Sequence, residues 1–274
     1  MTMQISRTNP AGKGWRGELF VLPATSHIRT GMEHEFQSHW SDPSFSRHYR
    51  DISSLQLPFR NQVLTLVQAF HRFHPGPGKN SRIMDLGSGD GIFGQVLLGP
   101  AEEDRLVLVD GSSDMLLAAR ERFGTDPRVE YLHASFEEMV EKPPDLAPFS
   151  MVVSSLAVHH VPLEVKGRLF SVIYRLLDPG GYFLVYDTVL PPTPDLEEFY
   201  MELWKQWIRE QKALHKTDLD LESMLSFHHL APEHHKNLDT VEDYIGAMRN
   251  AGFSEVDCMF KFGVFALVCG MKKE

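Results

Sequence analysis

Short apolar runs alternate with helical patterns through the middle of the chain, and this alternation constrains the fold more than any other feature. Runs typical of strands cover residues 82–85, 105–110, 129–133, 150–154 and 181–187. Helical patterns occupy residues 58–73, 92–98, 113–122 and 162–177. A repeated strand-helix-strand order favours parallel neighbours joined by right-handed crossovers, so the pattern predicts an α/β fold with a doubly wound sheet.

Two further apolar runs lie near the C-terminus, at residues 255–260 and 264–270. Only three residues separate them, whereas a parallel crossover needs roughly a dozen or more. The two strands are therefore predicted to form an antiparallel hairpin. Before them, Thr240 with Asp243 three residues later is typical of a helix N-terminal cap, and Gly252 is typical of a helix end.

The chain is predicted to have four segments. Residues 1–55 mix glycine, proline, histidine and aromatic residues without a clean period, so we expect an N-terminal arm that covers the core. Residues 56–190 form the core itself. Residues 191–238 interrupt the strand-helix rhythm with an amphipathic helix near 196–214, which we interpret as an inserted helical cap. Residues 239–274 add the last helix and the hairpin that complete the core.

Composition narrows the class of protein. Hydrophobic residues make up 42% of the 274, which is typical of a globular chain with a buried core. The 37 acidic residues outnumber the 27 basic ones, and this balance disfavours nucleic acid as a partner. No apolar run approaches the roughly 18 residues of a membrane helix and no secretory signal is apparent, so we expect a cytoplasmic protein without membrane contact. Cys258 and Cys269 are too few for a disulfide framework and are expected to be buried thiols.

A glycine-rich loop follows the first predicted strand, where residues 85–91 read DLGSGDG. Glycines allow a sharp turn that leaves room for a ligand against the main chain, and the next helix offers free N–H groups to an anion. Asp110 ends the second strand about 20 residues later, where a carboxylate can accept both hydroxyls of a ribose. The loop and Asp110 together predict a nucleotide-like ligand with a free 2′-hydroxyl.

A nicotinamide cofactor fits this loop poorly. The dinucleotide fingerprint requires a third glycine at the position that Ile92 occupies here. The chain also has no Tyr-x-x-x-Lys pair for hydride chemistry. These two departures disfavour a nicotinamide-dependent oxidoreductase.

Four segments, in this order, carry a resemblance to a known family. They are residues 85–91 (DLGSGDG), 109–116 (VDGSSDML), 152–160 (VVSSLAVHH) and 176–181 (LLDPGG). The chain resembles the class I S-adenosylmethionine-dependent methyltransferases, and within them the small-molecule branch that includes the ubiquinone and menaquinone C-methyltransferases. The resemblance implies a seven-stranded sheet of order 3-2-1-4-5-7-6 with strand 7 antiparallel. It also implies methyl transfer from S-adenosylmethionine to a small-molecule acceptor by in-line displacement, with S-adenosylhomocysteine as the product.

The resemblance assigns cofactor roles residue by residue. Gly87 and Gly89 are implied to lie against the methionine part of S-adenosylmethionine, and Asp85 to help hold its amino group. Asp110 is implied to bind the ribose hydroxyls, in agreement with its position at the end of a strand. Met115 has the place of a side chain that packs on adenine, although a methionine at helical spacing is also typical of plain core packing.

Ser135 and Phe136 fall where the family has an acidic residue followed by an apolar one at the adenine edge. Ser135 departs from that pattern because a hydroxyl can bond the exocyclic amine but brings no charge. The resemblance therefore implies an adenine contact at these two residues that is less well defined than the ribose contact.

Two adjacent histidines are candidates for a general base. His159 and His160 follow the fourth strand, whose carboxyl end borders the cofactor crevice in this architecture. An acceptor hydroxyl or ammonium must lose a proton, and a histidine with a pKa of about 6.5 suits that task. One of the two is our candidate base; the alternative is that both are structural.

The remaining features bear on the acceptor. Residues 228–235 contain four histidines, but adjacent histidines diverge and Pro232 prevents a helical pairing, so we predict no metal site. An aromatic stripe of Phe199, Tyr200, Trp204 and Trp207 is typical of packing, or of a wall for an aromatic or apolar acceptor. An RNA or DNA methyltransferase and a non-catalytic S-adenosylmethionine-binding module stay as alternatives. The sequence leaves the receiving atom, oxygen, nitrogen or carbon, and the oligomeric state open.

Overall fold

The structure, a computed structural model, describes residues 57–74, 81–99, 101–146, 148–216 and 236–273. The predicted N-terminal arm and the histidine-rich residues 228–235 lie outside these ranges. The strands are β1 (Arg82–Leu86), β2 (Arg105–Asp110), β3 (Val129–His133), β4 (Phe149–Ser155), β5 (Leu177–Thr188), β6 (Ser254–Phe262) and β7 (Phe265–Met271). They form one sheet of order β3-β2-β1-β4-β5-β7-β6, in which β7 is antiparallel to both neighbours. The predicted fold class is confirmed.

Helices cover both faces of the sheet. They are α1 (Arg60–Phe73), α2 (Ile92–Leu97), α3 (Ser113–Phe123), α4 (Phe136–Glu141), α5 (Leu163–Leu176), α6 (Pro194–His215) and α7 (Val241–Ala251). One apolar cluster joins the sheet to α1, α2, α3 and α6, and a second joins it to α4, α5 and α7. The result is a three-layer arrangement in which the central strands β1 and β4 are buried on both sides.

Burial on both faces of the sheet explains why the central strands appear in the sequence as apolar runs. In β1, Ile83 packs into one cluster while Met84 and Leu86 pack into the other, and all three are buried. A strand that is covered on both faces reads as a continuous apolar run, because neither set of alternate side chains meets water. The glycine loop and the histidines follow strands of this kind, so both are attached to the buried centre of the sheet.

The structure corrects one strand boundary and adds one helix. The strand predicted at 181–187 begins at Leu177, and its register against β4 shifts between Phe149 and Met151, so that residues 178–181 form an irregular stretch within the strand. Helix α4 was not predicted: it buries a single residue, Met139, whereas α2, which has the same length and was predicted, buries Phe93, Gly94 and Leu97. The capping box at Thr240 and the helix end at Gly252 are confirmed.

Candidate active site at the carboxyl edge of the sheet

The glycine loop after β1 makes a tight turn. Gly87, Gly89 and Gly91 all have positive φ angles, of 68°, 54° and 79°. The main-chain N–H of Gly87 donates to the carbonyl of Val109 at 2.8 Å, which ties the turn to β2. A Cβ atom at Gly87 would lie 2.3 Å from Cβ of Ala157. Glycine is therefore required here both by the backbone conformation and by the close approach of the chain after β4.

Replacing Gly87 with alanine is expected to lower the free energy of unfolding by about 3 kcal/mol, since positive φ and overpacking both oppose the new methyl group. Gly180 offers a matched control: its φ is 76°, but no atom lies within 4 Å of the position that a new methyl group would take. Gly180→Ala should therefore lose only about 1–2 kcal/mol. Urea unfolding of the two variants measures the difference, and equal losses would show that the contact with Ala157 relaxes without cost.

Asp110 at the end of β2 is held by two main-chain donors. Its Oδ2 accepts from the N–H of Gly89 and its Oδ1 from the N–H of Ser112, both at 2.8 Å. Burial raises the pKa of this carboxyl, and the two N–H bonds act in the opposite direction. A carboxylate has about four lone-pair sites, so each oxygen retains one for an outside donor. The arrangement suits two neighbouring hydroxyl groups.

Asp85 in β1 is almost fully buried, with 1% of its surface exposed. Its Oδ2 accepts from the N–H of Gly94 at 2.8 Å, whereas its Oδ1 has no hydrogen-bond partner among the described residues. Burial raises the pKa of Asp85 to about 8. A buried carboxylate oxygen without a donor is costly, so this position fits a ligand that brings a cationic donor. The amino group of S-adenosylmethionine is such a donor.

The predicted adenine residues lie around the same loop. Met115 of α3 is buried, and its Sδ lies 4.0 Å from the position that a Cβ atom would take at Gly89. Phe136 begins α4, and its ring lies 3.1 Å from the position that a Cβ atom would take at Gly87. Ser135 is the N-cap of α4, since its hydroxyl accepts from the N–H of Glu138 at 3.1 Å. The structure thus brings the predicted cofactor residues to one edge of the sheet and gives Ser135 an additional capping role.

His159 is joined to a carboxylate that the sequence does not single out. It lies in a short 3₁₀ turn (Val158–His160) after β4 and is 2% exposed. Its main-chain N–H donates to Oδ2 of Asp187 at 2.8 Å, and its ring Nδ1 contacts Oδ1 of the same residue. Asp187 lies near the end of β5 and also accepts from the hydroxyl of Tyr244 at 3.0 Å. His159, Asp187 and Tyr244 therefore form a buried cluster between β4, β5 and α7.

The cluster fixes the protonation pattern of the His159 ring. Nδ1 faces an acceptor-only carboxylate, so in the neutral ring Nδ1 carries the hydrogen and Nε2 is the basic nitrogen. The pKa of Tyr244 is raised well above its ordinary value, mainly by burial and secondly by the charge of Asp187. The hydroxyl of Tyr244 therefore stays a hydrogen-bond donor. The His160 ring lies beside that of His159, at 4.2 Å between centroids, but the Asp187 carboxylate contacts the ring of His159. Geometry therefore favours His159 over His160 as the base.

The aromatic stripe of α6 is mainly a packing feature. Trp204 is 1% exposed, and its ring meets that of Phe265 edge to face at 5.6 Å between centroids. Trp207 packs on Phe59 at 4.7 Å. Of the stripe, Phe199 is the residue that projects into solvent, at 57% exposure. The helix is thus attached to the sheet by Trp204, in agreement with the packing interpretation.

Within the described ranges, no group of three or more histidine, cysteine or carboxylate side chains is placed to hold a metal ion. The histidines at 228–235 are outside those ranges, so the absence of a metal site there stays a prediction. Among the same described residues, no helix has both the length and the hydropathy to cross a bilayer.

Comparison with known proteins agrees with the geometry. Residues 83–181 match a family model described as a methyltransferase domain. The carboxy-S-adenosyl-L-methionine synthase of Nautilia profundicola is 23% identical over 235 residues, which cover 84% of this chain and 93% of that protein. The demethylmenaquinone methyltransferase of Clavibacter sepedonicus is 32% identical over 124 residues, 45% of this chain. The chain spans about half the length of that second relative, at 48%.

A solved structure with the same fold is the S-adenosylmethionine-dependent methyltransferase SibL in its apo form. The TM-score is 0.53 at 17% identity, and the match covers 79% of this chain and 56% of SibL. Likeness at this identity supports the fold, and the strand order observed here is the one that the family resemblance implies. Fold, glycine loop and family match together identify residues 83–181 as a methyltransferase domain.

Proposed function

We propose that this protein methylates the hydroxyl group of a small aromatic molecule, with His159 as the general base. The observation that carries the proposal is the buried contact of His159 with Asp187, which leaves Nε2 as the basic nitrogen. A phenolic hydroxyl has a pKa of about 10, closer to that of histidine than an aliphatic alcohol, so it suits this base. The resemblance to small-molecule methyltransferases supports the size class of the acceptor.

The cofactor residues of the proposal are those around the glycine loop. Asp110 would accept the two ribose hydroxyls, Asp85 the amino group, and the turn at Gly87 and Gly89 would admit the amino-acid tail. Met115, Ser135 and Phe136 would border the adenine. Bound S-adenosylmethionine supplies a methyl group on a sulfonium with a good leaving group, so the chain mainly has to orient the acceptor.

His159 would then remove the acceptor proton. As the imidazole accepts that proton at Nε2, it becomes cationic, and the carboxylate of Asp187 at Nδ1 stabilises the new charge. Tyr244 keeps Asp187 in place by donating to its other oxygen. Orientation of reacting groups contributes roughly 7–11 kcal/mol to such reactions, and general-base catalysis adds roughly 10²- to 10⁴-fold.

Asp85 makes the stability of the ligand-free protein depend on pH. Its folded pKa of about 8 lies above the ordinary value of 3.8, so the folded chain binds this proton more tightly than the unfolded chain. The free energy of unfolding should therefore fall as pH rises from about 4 to about 8, and Asp85 adds no further slope above that. Urea unfolding at pH 5 and pH 8 tests this. Between these two pH values the free energy of unfolding should fall less in the Asp85→Asn variant than in the wild type. A decrease of the same size in both proteins would remove Asp85 as its cause.

A second candidate follows from the relative that covers most of the chain. That protein is named as a carboxy-S-adenosyl-L-methionine synthase, and the match spans 93% of its length. The product in that name is a carboxylated form of the cofactor rather than a methylated acceptor. The two candidates therefore differ in whether S-adenosylmethionine loses its methyl group.

One assay separates these candidates. The protein is incubated with methyl-labelled S-adenosylmethionine and with phenols, aliphatic alcohols, quinols, RNA or DNA, and in a parallel series with a panel of carboxylic acids as carboxyl donors. Cofactor masses are followed by mass spectrometry. The proposal predicts label on the oxygen of a phenol and release of S-adenosylhomocysteine. Label on carbon or in nucleic acid, or the mass of carboxy-S-adenosylmethionine, would contradict it. Cofactor binding without turnover over the whole panel would favour the non-catalytic module.

A further inference from the structure

The segment that leads into α7 contacts the histidine turn directly. The side-chain amide of Asn237 donates from Nδ2 to the carbonyl of His160 at 2.7 Å. These two residues are far apart in sequence, and the contact connects the turn after β4 to the chain that precedes Thr240. The main chain of this segment is also attached to the end of β5, because the N–H of Leu190 donates to the carbonyl of Asp239 at 2.8 Å.

Lys166 fixes the same segment from the other side. Its side chain is fully buried, and its Nζ donates to the carbonyl of Asn237 at 2.6 Å and pairs with Oδ2 of Asp239. Lys166 lies near the N-terminus of α5, where the helix dipole disfavours a cation. A buried ammonium at such a place is retained only with good partners, so the position of Asn237 is strongly determined.

The contacts close into a ring. Nζ of Lys166 lies 5.2 Å from the centroid of the Tyr244 ring, a cation-π distance. The hydroxyl of Tyr244 donates to Asp187, which holds His159. The histidine turn is thus fixed at two points, at His159 through Asp187 and at the carbonyl of His160 through Asn237. We call Lys166, Asn237, Tyr244 and Asp187 the polar ring.

We propose that Lys166 and Asn237, two members of the polar ring, are positioning residues for methyl transfer, which hold the carbonyl of His160 so that the His159 ring keeps its orientation toward the acceptor. This inference rests on the proposed function of His159. The orientation of a base matters because displacements of about 1 Å can lower turnover by about 10²-fold. Lys166 and Asn237 act through the turn, and neither is assigned a contact with the reacting atoms.

The test is Asn237→Leu, which removes the amide donor while keeping a side chain of similar size. We expect kcat to fall about five- to tenfold, the loss of one hydrogen bond, with the Kd for S-adenosylhomocysteine unchanged. Amide hydrogen exchange at residues 158–161 should become faster. Gln68→Met is the matched control, because Gln68 also donates a side-chain amide to a distant carbonyl, that of Val96 at 2.9 Å, in the α1–α2 contact. It should change neither kcat nor exchange in the turn.

Combination with His159→Gln completes the test. If Asn237 acts through His159, the double variant should lose little more activity than His159→Gln alone, because coupled residues are not additive. If the Lys166→Met variant folds, its kcat and its exchange rates at 158–161 should resemble those of Asn237→Leu. If it does not fold, Asn237→Leu alone tests the inference. Exchange at 158–161 needs no acceptor, so faster exchange in Asn237→Leu supports the positioning role even if no phenol is methylated. Unchanged exchange, or additive losses in the double variant, would overturn the inference.

Discussion

Replacing Asp110 with alanine is expected to weaken binding of S-adenosylhomocysteine by roughly 100-fold or more. Two charge-assisted hydrogen bonds to the ribose are lost, and such bonds contribute about 1.5–3 kcal/mol each. Asp110 also accepts from Gly89 and Ser112, so Asp110→Asn, which keeps the size of the side chain, should be measured beside it. Isothermal titration gives the dissociation constants, and thermal unfolding reports whether the variants remain folded.

Asp114→Ala is the matched control for Asp110. It removes a carboxylate of the same type from the first turn of α3, two residues after the N-cap Ser112. We expect its affinity for S-adenosylhomocysteine to stay within about twofold of wild type, since screened surface charges contribute little. Equal affinities of wild type and a folded Asp110→Ala variant would remove the ribose-binding assignment.

Replacing His159 with glutamine is expected to lower kcat by roughly 10²- to 10⁴-fold, the range for loss of a general base. Affinity for S-adenosylhomocysteine should be unchanged, because the proposed cofactor residues lie on β1, β2, α3, α4 and the loops beside them. His160→Gln should have a much smaller effect, since the Asp187 carboxylate is held at His159. Equal losses in the two variants would contradict the choice of His159, and full activity of His159→Gln would contradict a histidine base.

Most of the fold could be predicted because its signals are local. The strands β1 and β2 are apolar runs that follow from burial on both faces, and the hairpin of β6 and β7 follows from the short link between them. Thr240 and Gly252 begin and end α7 by side-chain and backbone rules that act within a few residues. The placement of Asp85 and Asp110 at one edge of the sheet could be predicted because each lies at or near the end of a parallel strand, while their cofactor roles stay predictions.

The buried cluster around His159 could not be predicted in this way. Asp187 is 28 residues from His159 and 57 from Tyr244, and the register of β4, β5 and α7 decides that the three side chains meet. The available signal was a carboxylate at the end of an apolar strand, which alone does not name a partner. Lys166 gave no signal either, because a lysine on a helix usually lies on the surface.

Helix α4 escaped prediction for a different reason. Its signal is the pair Ser135 and Glu138, which form a capping box in the structure. The helix buries only Met139, whereas α2, of equal length, buries three residues, so the apolar signal that marks α2 is weaker in α4.

The central claim is that Asp110 holds a methyl donor and that this donor faces a base held by Asp187. A crystal structure with S-adenosylhomocysteine and a phenol tests it most directly. We predict that the ribose hydroxyls bind Asp110 and that the phenol oxygen lies between the sulfur and Nε2 of His159. A cofactor bound elsewhere, or a phenol oxygen beyond reach of the His159 ring while the sulfur is in place, would contradict it.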